Sequence, residues 1–282
     1  MSISVARPDD RPRRITVAGV AFDPLTEAEV VGCVRDAMAR GEGGRLVTPN
    51  VDILRLAATE PSVHGYLADA TLVVADGAPV VWASRLGAAR VGPVGGRPRR
   101  SRLPERVAGS SLIWSLSEVC AADSRRVFLV GGAPGAPGIP GGAQRAAAVL
   151  GIRYRYLRVA GCSSPEYGFE RDPNRWAEVR ADVIDAKPDL VFVGLGFPKQ
   201  ERFISDLRAE LPGTWFLGCG ASIDFVVGDR RRAPGWVQRL GLEWAHRLAQ
   251  EPRRLGRRYL REDLPYALSL LASSAADRVR RR

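Results

Sequence analysis

The sequence predicts an α/β fold, a mostly parallel Rossmann-like sheet flanked by helices, followed by a basic helical C-terminal appendage. Short apolar, β-branched runs alternate along the chain with segments whose apolar residues recur at helical spacing, the pattern of repeated βα units. Several of those runs stop at glycine beside a polar residue, as in Ala75-Asp76-Gly77, Gly194-Leu195-Gly196 and Gly218-Cys219-Gly220. Strands of open α/β sheets end in this way where their loops receive ligands. From Asp229 onward the texture changes to leucine and tryptophan interleaved with arginine, which separates an appendage (229–282) from a core (15–228).

Taken in order, residues 1–14 are polar, contain Pro8 and Pro12, and read as a disordered tail. Ile15 to Phe22 reads as one strand; Asp23-Pro24 follows at once with no small-residue cleavage site, which sets it apart from an export signal despite Arg13-Arg14. Thr26 is placed as the N-cap of a helix with Val30, Val31, Val34 and Met38 on one face. Arg45-Leu46-Val47 is a strand that runs into Thr48-Pro49-Asn50, where both polar residues suit either helix capping or a ligand, and Ile53, Leu54, Leu56 and Ala57 mark the next helix. Thr71 to Ala75 is a buried strand ending in Asp76-Gly77, an arrangement that serves a turn or places an acid for chemistry. Residues 88–103 form a basic Gly/Pro-rich loop with Arg99, Arg100 and Arg102 solvated.

Ser110 to Val119 reads as a helix and Arg126 to Val130 as a strand. The Gly/Pro-rich loop over 131–142 lacks G-x-G-x-x-G in register, and its prolines remove amide donors. A helix over Ala143 to Leu150, a strand over Ile152 to Val159, a loop from Gly161 to Gly168 and a helix over Trp176 to Asp185 follow. Asp189 to Gly196 then reads as a strand opening into the polar loop Phe197-Pro198-Lys199-Gln200-Glu201, with a helix from Arg202 to Glu210 carrying Phe203, Ile204 and Leu207. Trp215 to Gly218 begins another strand, whose loop holds Ser222 and Asp224.

Composition narrows the function classes. The 282 residues are 45% apolar, ordinary for a globular chain, and long enough for one large α/β domain with an appendage or for two small domains. The net charge is +11, and residues 229–282 hold 14 arginines against 6 acids, so +8 of it lies in the appendage and favours an anionic surface or substrate there. Cys33, Cys120, Cys162 and Cys219 lie far apart without a CxxC pair, which fits reduced thiols in a cytoplasmic chain. No run approaches the ~20 apolar residues of a membrane span.

The run GLGFPKQE, followed by GCGASIDFVVG and RRAPGWVQRLGLEWAHRLAQEPRRLGRRYL, resembles the WecG/TagA/CpsF glycosyltransferase family, which extends bacterial surface polysaccharides and wall teichoic acid. Thr48-Pro49-Asn50, Ala75-Asp76-Gly77 and Glu105 to Gly109 fall in the family's order, so the resemblance covers roughly residues 15 to 262. It implies an inverting transferase that moves a hexose or N-acetylhexosamine from a UDP-sugar to a sugar on a polyprenyl diphosphate, peripherally at the inner face of the cell membrane. By the same resemblance Asp76 is the base, with Thr48 beside it at the catalytic centre. Asn50, Arg106, Gly196, Gln200 and Glu201 match the family's UDP-sugar pocket, and Arg247, Arg254 and Arg257 match appendage arginines that hold the lipid diphosphate. The family often has an acid where Ser111 stands, and it usually joins Gly87 to Pro104 by only a few residues.

No acidic pair stands at a strand end, so neither a metal nor another cofactor is expected. Homo-oligomerisation is left open. A nicotinamide-dependent oxidoreductase would need the in-register glycine fingerprint and a ribose-binding acid about 20 residues on, and neither is present. A nucleic-acid-binding protein would account for the arginines, but the aromatic residues sit with leucines at helical spacing and no nucleic-acid-reading motif appears; no nucleic acid partner is expected.

Overall fold

The computed structural model describes residues 12–87, 101–230, 233–239 and 241–280, without the side chains of residues 239, 254 and 280. Most of the 1–14 tail, most of the 88–103 insertion and the Arg254 side chain therefore lie outside the described residues. Arg14, which the sequence assigns to the tail, is anchored: its Nε donates to Asp23 at 3.0 Å and its Nη2 to the carbonyls of Ala70 and Thr71.

Six strands form one parallel sheet in the order β4-β3-β8-β7-β5-β6, with β3 Gly44–Val47, β4 Leu72–Val73, β5 Arg126–Gly131, β6 Arg158–Ser163, β7 Leu190–Gly194 and β8 Trp215–Gly218. Alternation along the central strands decides which helices cover which face. Val127, Leu129, Leu190, Phe192, Trp215 and Leu217 point into one cluster with α1 (Glu27–Ala39), α5 (Gly109–Ala122), α6 (Gly142–Arg153) and α9 (Ser222–Val227). Phe128, Val130, Val191, Val193 and Phe216 point the other way, against α7 (Pro173–Ala186) and α8 (Lys199–Arg208). Both faces are buried, which is why these strands read as continuous apolar runs. A third cluster lies beside β4 under α2 (Val51–Thr59), α3 (Pro61–Ala68) and α4 (Ala78–Leu86).

Three sequence expectations change. Ile15 to Phe22 is a hairpin rather than one strand: β1 (Ile15–Val17) and β2 (Val20–Phe22) pair antiparallel. Ala18 and Gly19 turn between them with φ of 50° and 78°, a two-residue turn whose twist matches the flanking strands. The strand expected over Ile152 to Val159 starts at Arg158, because α6 runs on through Arg153 and leaves Ile152 and Tyr156 about four-fifths exposed (82% and 80%). The helix expected from Arg202 begins at Lys199, so Gln200 and Glu201 lie in its first turn and are buried. Thr26 caps α1 as expected, in a reciprocal box with Glu29.

After Gly228 the chain forms α10 (Gly235–Arg239), α11 (Glu243–Gln250), α12 (Pro252–Arg257), a π-helical turn (Arg258–Asp263) and α13 (Leu264–Arg280). These helices return across the carboxyl ends of β3 and β4. Leu270 joins the cluster under α4, and Gly241 approaches α4 so closely that a Cβ there would meet the Ala78 Cβ at 2.5 Å. The appendage thus shares apolar core with the sheet domain.

Candidate active site

The loops after β3 and β4 are tied together. The Asp76 N–H donates to the Pro49 carbonyl at 3.0 Å, which sets Thr48-Pro49-Asn50 beside Asp76-Gly77. Asn50 is the N-cap of α2, its Oδ1 accepting from the Ile53 N–H at 3.0 Å, and it also lines the cleft described below. Thr48 lies just beneath, 8% exposed. The Val107 N–H donates to the Ala75 carbonyl at 2.8 Å, extending the edge of the sheet by one bond and holding Arg106 at the mouth.

Arg106 brings the site together. Its Nη1 lies 3.8 Å from the Asp76 carboxylate and contacts Glu243 of the appendage, and its Nη2 donates to Gln238 Oε1 at 3.2 Å. Burial works against the guanidinium charge, but Asp76 and Glu243 outweigh it and hold the pKa above its ordinary value.

A cleft of ≈ 320 Å³ opens here between the strand ends and the appendage. One end is polar, with Asn50, Gly77, Arg106 and Glu243. The other runs between α4 and α13 along Trp82, Trp244, Leu264, Leu268 and Leu271. Its floor carries Asp52, Arg258 and Asp263, an ion-pair cluster with Arg55 and Glu262 behind it. Burial pushes the Asp263 carboxyl up to about 6, aided by Asp52 and opposed by Arg258 and Arg55. The arrangement can hold a ligand that is polar at one end and apolar at the other.

The remaining predicted site residues divide. Gly196, with φ of 81°, lies within the loop between β7 and α8. Gln200 is 4% exposed and both ends of its amide are engaged: Nε2 donates to Glu201 Oε1 at 3.2 Å, and Oε1 accepts from the Gly220 N–H at 3.1 Å. It does not line the cleft, and neither do Gly196 and Glu201. Glu201 is fully buried, its Oε2 3.7 Å from Arg45 Nε. Burial pushes its carboxyl up to about 7, with Arg45 and the Gln200 hydrogen bond pulling the other way. Of the appendage arginines, Arg247 stacks over Phe225 at 5.7 Å and Arg257 is exposed; neither lines the cleft, whereas Arg258 does. Sequence reasoning passed over Arg258, Glu243 and Trp82. Arg258 sat in the same arginine series, but nothing local told it from its neighbours. Among the described residues no group of three His, Cys, Asp or Glu side chains is placed to hold a metal ion.

An open parallel sheet with a cleft of this kind at the carboxyl ends of its strands is the frame of an α/β enzyme whose ligand lies across those ends. The family model described as "Glycosyl transferase WecG/TagA/CpsF family" matches residues 15–280. The chain is 31% identical over 230 residues to the N-acetylglucosaminyldiphosphoundecaprenol N-acetyl-beta-D-mannosaminyltransferase of Bacillus subtilis (strain 168), covering 81% of this chain and 79% of the relative. It is 27% identical over 247 residues to the protein of the same description from Staphylococcus aureus (strain MW2), with 86% and 87% covered. The chain belongs to the WecG/TagA/CpsF family and is a glycosyltransferase.

Proposed function

We propose that this enzyme transfers an N-acetylhexosamine, of the N-acetylmannosamine kind, from a UDP-sugar to N-acetylglucosamine carried on a polyprenyl diphosphate, with inversion at the transferred carbon. The observation that carries the reading is the cleft itself, polar beside Asp76 and Arg106 and apolar between α4 and α13, which matches an acceptor with a sugar diphosphate at one end and a lipid at the other. The names of the relatives supply the acceptor class. In a single displacement, Asp76 takes the proton of the acceptor hydroxyl as its oxygen bonds to the sugar carbon and the bond to UDP breaks. The leaving diphosphate gains charge at that moment, and a preorganised guanidinium lowers the barrier by meeting it. Arg106 fills that role, and no metal is required. Exposed apolar and basic residues of the appendage hold the enzyme on the membrane face where the acceptor lies; among the described residues no helix is long and apolar enough to cross a membrane. A screen of UDP-sugars against a short-chain polyprenyl-diphosphate N-acetylglucosamine acceptor tests the reading. Turnover with UDP-N-acetylmannosamine that persists in excess chelator supports it, and no turnover with any UDP-sugar would overturn it.

A further inference from the structure

The apolar arm of the cleft is hydrocarbon surface that the fold leaves uncovered. Trp82, Trp244, Leu264 and Leu268 line it and are 41%, 38%, 38% and 59% exposed. Apolar residues exposed singly are ordinary, but a contiguous set inside a concavity marks a binding site. One wall is fixed by a forced glycine: a Cβ on Gly241 would meet the Ala78 Cβ at 2.5 Å and the Trp82 ring at 2.8 Å, so that ring rests on bare backbone and is held in place. The facing wall is α13, where Leu264, Ala267, Leu268 and Leu271 recur at helical spacing over two turns, about 10 Å. Ala267 is the small residue among three leucines, and it leaves room.

Size limits what this arm receives. Ligand sites run from about 300 to 1,000 Å³, and the ≈ 320 Å³ here includes the polar end beside Arg106. A whole polyprenyl chain cannot fit. Hydrocarbon that enters the arm is joined to the polar group held at the Arg106 end, because the two ends are one continuous space. Leu268, the most exposed of the lining leucines, stands where the arm opens outward.

We infer that the arm between α4 and α13 is a subsite for the phosphate-proximal isoprene units of the acceptor, roughly two of them by the length of the α13 wall, with Trp82 and Ala267 setting its specificity. The rest of the chain continues past Leu268 into the membrane. The protein thus recognises the lipid itself, and the chain does more than keep the acceptor at the membrane. Burial of the first units strengthens binding in proportion to the apolar area covered, and that gain stops where the walls stop. The inference rests on the reading of the acceptor as a polyprenyl diphosphate.

The test measures kcat/KM of the full-length enzyme in buffer free of detergent and vesicles, with UDP-N-acetylmannosamine as donor. The acceptors are N-acetylglucosaminyl diphosphates carrying a methyl group or one, two, three or four isoprene units. The value is expected to rise by at least about tenfold from the methyl to the two-unit acceptor, the scale on which an apolar pocket reads a few carbons, and to change little beyond it. Ala267→Phe fills the arm and Trp82→Ala removes a wall; each is checked by thermal melting, and each should flatten the rise to less than about threefold. Trp82 is the more exposed position, so its variant carries the test if Ala267→Phe fails to fold. The readout is a ratio between acceptors on one enzyme, which a general loss of activity leaves unmoved. A value independent of chain length would overturn the inference and leave the lipid as a membrane tether alone. A steady climb through four units, or a full rise kept by the folded variants, would overturn it as well. No turnover with any acceptor would instead overturn the proposed transfer reaction, so the two failures are told apart.

Discussion

At the scale of single residues, Asp76 and Arg106 make opposite demands on one small volume, and their variants should fail differently. Asp76→Asn keeps the shape of the side chain and removes the proposed proton acceptor, so turnover is expected to fall by ~10²–10⁴-fold while UDP affinity and melting stay near those of the parent. Arg106→Ala should cost about 1.5–3 kcal/mol of UDP binding, the range for a hydrogen bond to a charged group, as read by calorimetry. Asp76 stands out locally as an acid at a strand end beside glycine, whereas Arg106 is singled out only by the resemblance to the family. Glu201 does not stand out. It looks like a loop carboxylate next to Gln200, and only the fold brings it against Arg45, 156 residues away in sequence. Its carboxyl, pushed up to about 7, binds a proton more readily in the folded than in the unfolded chain. The stability this contributes is present in full below the ordinary carboxylate pKa and is lost as pH rises through about 7. Melting temperature should therefore carry a declining component between about pH 5 and 8, and Glu201→Gln should abolish that component whatever its absolute stability.

At the scale of elements, what the sequence conveys is strand identity, and what it conceals is where helices begin and which glycines are forced. The runs at β5, β7 and β8 announce themselves because both faces of the sheet are covered. β4 has only two paired residues, and β6, at the other edge, pairs with β5 alone. β6, exposed or half-buried along its length, lacks the two-sided burial that makes a run conspicuous, whereas the short β4 keeps it, Leu72 and Val73 facing opposite clusters; the alternating apolar and basic residues after Ile152 imitate a strand that the chain does not form. Gly218 shows the tertiary constraint. A Cβ there would meet Glu201 Oε1 at 2.4 Å and Gln200 Nε2 at 2.5 Å, so β8 can pass the start of α8 only without a side chain. Gly241 is the matching case in the appendage, with φ of 73° and the Trp82 ring 2.8 Å from where a Cβ would stand. Gly241→Ala should destabilise the protein by about 1–3 kcal/mol, the usual cost of overpacking, seen as a lower denaturation midpoint. It should also reduce turnover, since Gly241 immediately precedes the segment that carries Glu243.

At the scale of the whole molecule, the charge asymmetry read from composition acquires a location. The appendage covers the cleft with one side, buries Leu255 and Leu270, and turns Trp236, Leu260 and Val279 outward, each more than half exposed (60%, 52% and 73%). Arg253, Arg257 and Arg261 are exposed on the same segment. Apolar side chains that reach into the acyl boundary and cations that meet anionic headgroups together make an interfacial surface, and each arginine near the membrane contributes on the order of 1 kcal/mol. Removing the appendage is a poor test of this, because Leu270 belongs to the cluster under α4 and its loss would bare apolar core. Point changes on the outward side separate the two roles. Trp236→Ser with Leu260→Ser should leave melting within about 0.5 kcal/mol of the parent, as exposed positions do, and should sharply reduce co-sedimentation with vesicles containing anionic lipid. Arg253→Gln with Arg261→Gln should weaken recruitment in low salt and lose that effect as ionic strength rises, because screening removes the headgroup attraction these arginines supply. Recruitment of the parent that ignores lipid charge, or variants that bind vesicles as well as the parent, would refute the membrane-facing assignment while leaving the chemistry at Asp76 untouched.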